Sequence, residues 1–447
     1  QVTELPNSIP ASSPSSSSVS PTPYQGLLFQ SANTRRELIE QIKNTLNAVK
    51  SGHVPPSVCP PQEAVSKQER IAVDYEDTAE LEKRLEKAIT ALESNNPGMF
   101  SALQAQGIYY GSGTPGKIAF LFPGQGSQYV NMLKDFRESE PVVVETFAEA
   151  DRVMTPILGK PLTSYIYVDG DEESITRAEK NLKDTTITQP AMLTANVALL
   201  RVMQKFGIQP DVVIGHSLGE YAALVASGVL SFAEALQVVS ARGREMAKVS
   251  MADNGCMAAV SAPLAKVDEI LKSVEGYVVI ANINSPVQSV IGGATTAVDA
   301  AIAAFQAAGF QAVKIPVSHA FHTNIVAPAS EPLMQVIDRM DVQPPQIPVI
   351  ANVTGGEYPR TKPEIVSILG AQVASPVQFV KSMQKLVNMG TTVFVEVGPK
   401  RVLNSLANDN LKGVAGVTIL ATNHPRKGAK ASFNEALCGL FAAGVCA

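Results

Sequence analysis

Apolar and polar residues recur with two different periods along this chain, and the changes of period mark its parts. Residues 1–23, QVTELPNSIPASSPSSSSVSPTP, hold almost no bulky apolar side chains. They would bury too little surface to offset the entropy of ordering, so a disordered linker is expected. A strand, YQGLLFQSA, then leads into a helix over about 35–49, where Leu38, Ile39, Ile42 and Leu46 recur at helical spacing. After the Pro-rich HVPPSVCPPQ comes a second strand, RIAVDY, and a helix over 78–92 with Leu81, Leu85, Ala88 and Leu92 along one side. Its Glu and Lys residues form a solvated face. With GIYYGSG as a third strand, residues 24–112 predict a small α/β unit able to pack on a larger neighbour.

At Lys117 the pattern becomes a continuous apolar run, KIAFLF, which signals a buried parallel strand. It breaks into PGQGS around Gln125, a loop at the C-terminal edge of the sheet. Helical segments near 142–154 and 188–205 precede a strand, VVI, that runs into GHSLG and an Ala-rich helix, followed by a helix over about 231–247. Residues 254–316 read strand, helix, strand, strand, helix, strand, the order of a ferredoxin-like unit. This unit reads as an insertion, because α/β segments resume after Pro328: strands are expected in IPVIANVT near 348–354, TTVFVEVG near 391–398 and VTILAT, with a last helix over about 431–443.

Composition narrows the possible functions. Among 447 residues, 45% are hydrophobic and 17% charged, as in ordinary globular proteins, and the net charge of −5 with interspersed signs argues against a nucleic-acid footprint. No run reaches the roughly 18 apolar residues of a spanning helix, so no membrane partner is expected. Cys59, Cys256, Cys438 and Cys446 are far apart and form no CxxC pair, which suggests neither a disulfide framework nor a thiolate metal site and fits a cytoplasmic setting. The N-terminus lacks the pattern of a signal peptide. Starting on Gln, the chain reads as a piece of a longer polypeptide.

The chemistry concentrates in VVIGHSLGEYAAL, where Ser217 centres a Gly-x-Ser-x-Gly turn between strand and helix. That context presents a hydroxyl for acyl transfer, although glycines also end strands for structural reasons alone. Of five histidines, His53 and His424 lie in Pro-flanked polar connectors, and His216, next to Ser217 on the turn, is expected to point away from it. His319 and His322 in SHAFH fall at the junction after the inserted unit and are the candidate bases. Neither has a cysteine or carboxylate at ligand spacing, so no metal is expected. The GGA near 292 lacks the spacing of a nucleotide fingerprint.

The ordered set LFPGQGSQ, TQPA, GHSLGE, a following Arg, SHAFH and EVGP resembles the acyltransferase domain of type I polyketide synthases or fatty-acid synthases, related to freestanding malonyl-CoA:acyl carrier protein transacylases. The resemblance implies an α/β fold with a large subdomain over 116–253 and 317–425, its parallel sheet like an α/β-hydrolase core. It also implies a small ferredoxin-like subdomain over 254–316, a ketosynthase-to-acyltransferase linker over 24–112 and a post-acyltransferase segment over 426–447. The implied activity is ping-pong malonyl transfer from malonyl-CoA to the phosphopantetheine thiol of an acyl carrier protein. No cofactor is bound, and a ketosynthase domain is the implied neighbour.

Position by position, the resemblance makes Ser217 the nucleophile and His322 its base, with the backbone carbonyl of Gln372 orienting the ring where a triad would use an acid. A neutral carbonyl stabilises imidazolium less than a carboxylate does, which suits an ester that must persist until an acceptor thiol arrives. The amides of Gln125 and Leu218 become the oxyanion donors, such donors each contributing about 3 kcal/mol. Arg242, twenty-five residues after Ser217, becomes the bidentate partner of the malonyl carboxylate. His319 and Phe321 in His-Ala-Phe-His are implied to favour malonyl over methylmalonyl, while Gln189 and Asn284 match positions lining the site. HPRKGAK at 424–430 reads as a solvated charged turn, with CoA phosphates or an acidic carrier protein as its functional alternative. Two other functions remain open at this stage: a thioesterase passing the acyl group to water, although no convincing acid and terminal histidine follow Ser217, and a non-catalytic scaffold.

Overall fold

The computed structural model describes residues 26–94, 97–249 and 252–445. The expected disordered linker, the first two residues of the first strand and Cys446 lie outside them. The N-terminal unit is a three-stranded antiparallel sheet in which β1 (Gly26–Ala32) and β3 (Ile108–Ser112) flank β2 (Glu69–Tyr75). Alternation along β2 divides its side chains: Ile71, Val73 and Tyr75 join the core made by Leu38, Ile42, Leu81, Leu85 and Leu92 of the helices Arg35–Lys50 and Thr78–Ser94. A further helix, Pro97–Gln104, adds to those two.

The opposite face of this sheet carries Leu27, Ala72 and Tyr109, which share a core with Phe433, Cys438 and Phe441 of the C-terminal helix Ala429–Ala442. That helix thereby joins the N-terminal unit to the rest of the molecule. A side chain at Gly111 would collide with the Ala442 carbonyl, 2.0 Å from an added Cβ. Arg70, only 2% exposed, donates Nε to Ala442 O at 3.2 Å, Nη2 to Gly113 O at 2.9 Å and Nη1 to Lys67 O. Arg70→Met should therefore leave buried carbonyls without donors and lower stability by about 2–4 kcal/mol. The check is the denaturation midpoint, and an unchanged midpoint would rule out this tie.

The large sheet begins with β4 (Lys117–Phe122) and β5 (Val212–Gly215). Next, a separate antiparallel sheet forms from β6 (Cys256–Ser261), β7 (Val278–Ser285), β8 (Gln288–Gly293) and β9 (Gln311–Ile315), with the helices Leu264–Leu271 and Thr295–Ala307 between them and strand order β7-β8-β6-β9. The chain then returns through β10 (Val349–Ile350), β11 (Thr391–Glu396) and β12 (Thr418–Ala421), completing a parallel sheet of order β10-β5-β4-β11-β12. The molecule is thus a mixed α/β protein.

Both faces of the parallel sheet are covered, as its continuous apolar strands require. Phe120, Phe122 and Val213 face the buried helices on one side, while Ala119, Leu121, Val212 and Ile214 face Phe379, Met383 and Leu403 on the other. The helices Glu172–Leu182, Lys362–Gln372, Phe379–Asn388 and Val402–Asn410 add to those expected from periodicity. IPVIANVT supplies only a two-residue strand, because a turn begins at Ala351, whose carbonyl accepts from Gly355 N–H at 2.8 Å. The small sheet is tied to the segment before the helix Phe379–Asn388: Val377 N–H donates to Ala281 O, and Ile283 N–H to Val377 O, each at 2.9 Å.

Candidate active site

At the end of β5 the chain turns sharply into the helix Gly219–Ala226, with Ser217 held at a left-handed φ of 52°. Such strain in a non-glycine residue persists only where the surroundings enforce it. Both glycines of the motif are required by packing. A Cβ on Gly215 would lie 2.0 Å from the Gly219 carbonyl carbon, and one on Gly219 would lie 1.9 Å from Phe122 O. Asn352 closes the turn, its Oδ1 accepting the Ser217 amide at 2.6 Å and its Nδ2 donating to Gly215 O at 2.6 Å. The Gly219 and Glu220 amides are engaged by the carbonyls of His216 and Ser217.

His322 also sits at positive φ, 59°, with its Nε2 2.7 Å from Ser217 Oγ. Its Nδ1 lies 3.0 Å from Gln372 O and 3.2 Å from Ser375 O. Carbonyls only accept, so Nδ1 carries the proton and Nε2 is left free to accept the serine's. No sequence signal marks Ser375, since a backbone carbonyl can come from any residue type. Burial, with the charge of Arg242 and the proximity of His216 adding to it, holds the His322 pKa down to about 3. The ring is therefore neutral at ordinary pH, in its base form.

Ser217 and His322 border a cavity of about 290 Å³ between the two sheets, and Gln125, Arg242, Asn284 and Phe321 also line it. Arg242 is only 3% exposed; its Nη1 donates to Gln189 Oε1 at 3.0 Å and its Nη2 to Gln372 Oε1 at 3.3 Å. Among the described residues its Nε has no acceptor. A buried guanidinium that meets no carboxylate among the described residues, on a cavity wall, is prepared for an anionic ligand. The Gln125 side chain accepts from Thr185 Oγ1 at 3.1 Å, and the Thr185 hydroxyl accepts from Gln189 Nε2 at 2.9 Å.

Two expected placements need correction, those of Gln189 and His216. Gln189 does not line the cavity; it is fully buried behind Arg242 because the guanidinium and Thr185 use both ends of its amide. His319 is also off the cavity wall, its Nε2 donating to Val249 O at 2.8 Å, and its ring centroid is 6.1 Å from that of Phe321. His216, expected to point away, lines the cavity, with Nε2 2.8 Å from Asn284 Oδ1 and its ring packed on Phe379.

Behind the cavity lies Glu220, fully buried. Oε1 accepts from the Tyr358 hydroxyl at 2.7 Å and the Asn352 amide at 3.1 Å, while Oε2 accepts from Gln372 Nε2 at 2.6 Å. Burial raises its pKa to about 7 against the opposing effect of these donors and Arg242. The site as a whole can activate a serine, hold an acyl ester and receive a carboxylate beside it.

The sequence matches the family described as acyl transferase domain over residues 119–445. The malonyl CoA-acyl carrier protein transacylase of Bacillus subtilis (strain 168) is 40% identical over 310 residues, 67% of this chain and 93% of the relative. The acyltransferase domain from the second module of the salinomycin polyketide synthase superposes with a TM-score of 0.71 at 28% identity, covering 93% of each chain. A malonyl-transacylase structure in complex with its type II polyketide synthase acyl-carrier protein gives 0.63 at 35% identity, covering 71% of this chain and 99% of that one.

Proposed function

This chain belongs to the acyl transferase domain family, and on that footing we infer that it moves a malonyl group from malonyl-CoA, through an ester on Ser217, to the phosphopantetheine thiol of an acyl carrier protein. The observation that carries the site assignment is the 2.7 Å contact between Ser217 Oγ and a neutral His322 on the same cavity as the buried Arg242. His322 Nε2 takes the serine proton as Oγ attacks the thioester carbonyl, the carbon–sulfur bond breaks, and the proton passes to the departing CoA thiolate. The carrier thiol then attacks the ester in the reverse sense, giving up its proton through His322 and regenerating the serine.

The amides of Leu218 and Gln125 are the donors we assign to the developing oxyanion. Commitment of the neighbouring 217, 219 and 220 amides inside the protein supports Leu218, and the place of Gln125 on the cavity supports the other. Gln372 O and Ser375 O together orient His322, so two carbonyls stand where a triad has one acid. Arg242 receives the distal carboxylate of the malonyl group. Once bound, that carboxylate also offsets the charge of Arg242, which adds to burial in depressing the His322 pKa, and so makes imidazolium formation easier in the complex.

Phe321, partly buried on the cavity wall, limits the room beside the α-carbon. Phe321→Ser should reduce the preference for malonyl over methylmalonyl by about ten-fold, within the range that one methyl supplies. Competitive loading from both CoA esters, resolved by protein mass, measures this; an unchanged ratio removes the steric role. His319 would act on specificity indirectly, by holding Val249 beside the Phe321 segment.

The wider setting is a type I polyketide or fatty-acid synthase, with residues 24–112 as the linker from a ketosynthase domain, 254–316 as a ferredoxin-like small subdomain and the cytoplasm as the compartment. Coverage supports the linker: the polyketide synthase acyltransferase matches 93% of this chain, whereas the transacylase relatives above stop near 70%. A strand order in which β6 and β8 are central supports the small subdomain. None of the described helices is long and apolar enough to cross a membrane. Lys400, Arg401 and Arg426 border a cleft of about 500 Å³ that shares Gln288, Val402 and Leu406 with the reaction cavity. That positive border suits CoA phosphates and an acidic carrier protein. Mass measurement of the acyl-enzyme before and after addition of carrier protein tests the assignment as a whole.

A further inference from the structure

We propose that Glu220 is a positioning residue for selection of the carboxylated acyl group: through Gln372 it fixes Arg242 beside the cavity without pairing with the guanidinium itself. The proposal rests on the reading of Arg242 as the malonyl partner. Glu220 meets three donors, the Tyr358 hydroxyl and Asn352 amide on Oε1 and Gln372 Nε2 on Oε2. Among the described residues the partner of Oε2 is a donor, so this contact calls on the ionised carboxylate, the form favoured above the Glu220 pKa of about 7. On the other side of Gln372, Oε1 accepts from Arg242 Nη2.

Gln372 therefore lies between a donor-only group and an acceptor-only group, and these set its amide in one orientation. Its Nε2 also donates to Ser217 O at 2.9 Å, and its own carbonyl accepts from His322, so the same residue contacts nucleophile, base and guanidinium. The placement of the acid matters. A carboxylate in direct contact with Arg242 would compete with the substrate's carboxylate, whereas one held behind a neutral amide offsets part of the cost of burying the guanidinium and leaves its remaining edge available. The arrangement continues to the other side of the cavity through Arg242 Nη1, Gln189, Thr185 and Gln125.

The test compares single-turnover loading of the full chain from malonyl-CoA and from acetyl-CoA in the parent, Glu220→Gln, Gln372→Leu, Tyr358→Phe and Arg242→Ala. Glu220→Gln places an amide where Gln372 requires an acceptor. It should lower malonyl loading by about ten-fold, the effect of one charge-assisted hydrogen bond, while acetyl loading changes less than about two-fold. Gln372→Leu removes the bridge and keeps its backbone carbonyl, so it should lower the malonyl-to-acetyl ratio likewise and gives the answer if Glu220→Gln does not fold. Tyr358→Phe removes only a donor to Oε1, which faces away from Gln372, and should leave the ratio unchanged. If Arg242→Ala destroys the ratio but Glu220→Gln and Gln372→Leu preserve it, Glu220 has no positioning role. A parallel fall of both acyl loadings in these two variants, with the ratio intact, would mark a merely structural role and also overturn the proposal. If Arg242→Ala itself preserves the ratio, the underlying reading of Arg242 fails instead.

Discussion

Ser217→Ala is expected to abolish the acyl-enzyme and to slow malonyl transfer to carrier protein by about ten-thousand-fold or more. The size follows from the pathway, because no other group replaces an oxygen held 2.7 Å from a neutral histidine at the mouth of a strained turn. The substitution should not unfold the protein. The turn is held by the Ser217 backbone amide on Asn352, by Gln372 on the Ser217 carbonyl and by close packing at Gly215 and Gly219, none of which uses the hydroxyl. Full folding with lost loading is the expected pair of results, read by circular dichroism and intact mass. Near-parental transfer by the variant would remove the covalent route.

Arg242→Ala is expected to lower malonyl loading by about a hundred-fold and to leave acetyl loading much less affected. A substrate carboxylate taken into this cavity would lose hydration and find no fixed cation, a penalty of about 2–5 kcal/mol for truncating one side of a buried charge pair. Among the described residues its hydrogen bonds go to neutral amides, Gln189 and Gln372, and not to a carboxylate. The variant also leaves those amides without their donor, and a modest loss of stability should accompany the change. Loading rates from the two CoA esters separate the two effects: an equal fall for both would point to disturbed packing, and a selective fall to carboxylate recognition.

Much of the architecture could be read from periodicity. IAFLF in β4 and VFV in β11 are uninterrupted apolar stretches because both faces of these strands are covered, whereas Leu38, Ile42 and Leu46 are spaced for one buried helix face. Helices with a less distinct stripe, such as Lys362–Gln372, gave no comparable signal. In the site, Ser217 and His322 stand in recognisable local patterns, and the fold brings them together across 105 positions. What supports them was harder to read. Ser375 acts through its carbonyl, and Asn352 lies in an apolar stretch resembling strand. Glu220 occupies the first turn of a helix, where an acid is ordinarily explained by the helix dipole. Only the tertiary fold aligns these groups behind Gln372. His216 differed for a related reason: its direction is set by Asn284 and Phe379, 68 and 163 positions away.

The most direct measurement of acyl transfer is a pulse and chase followed by intact mass. Brief exposure to malonyl-CoA should load one malonyl group on Ser217, the ester should persist after excess CoA ester is removed, and phosphopantetheine-bearing carrier protein should discharge it as the malonyl group appears on the carrier. Continued CoA release with no carrier protein and no lasting adduct would contradict the transferase and identify water as the acceptor.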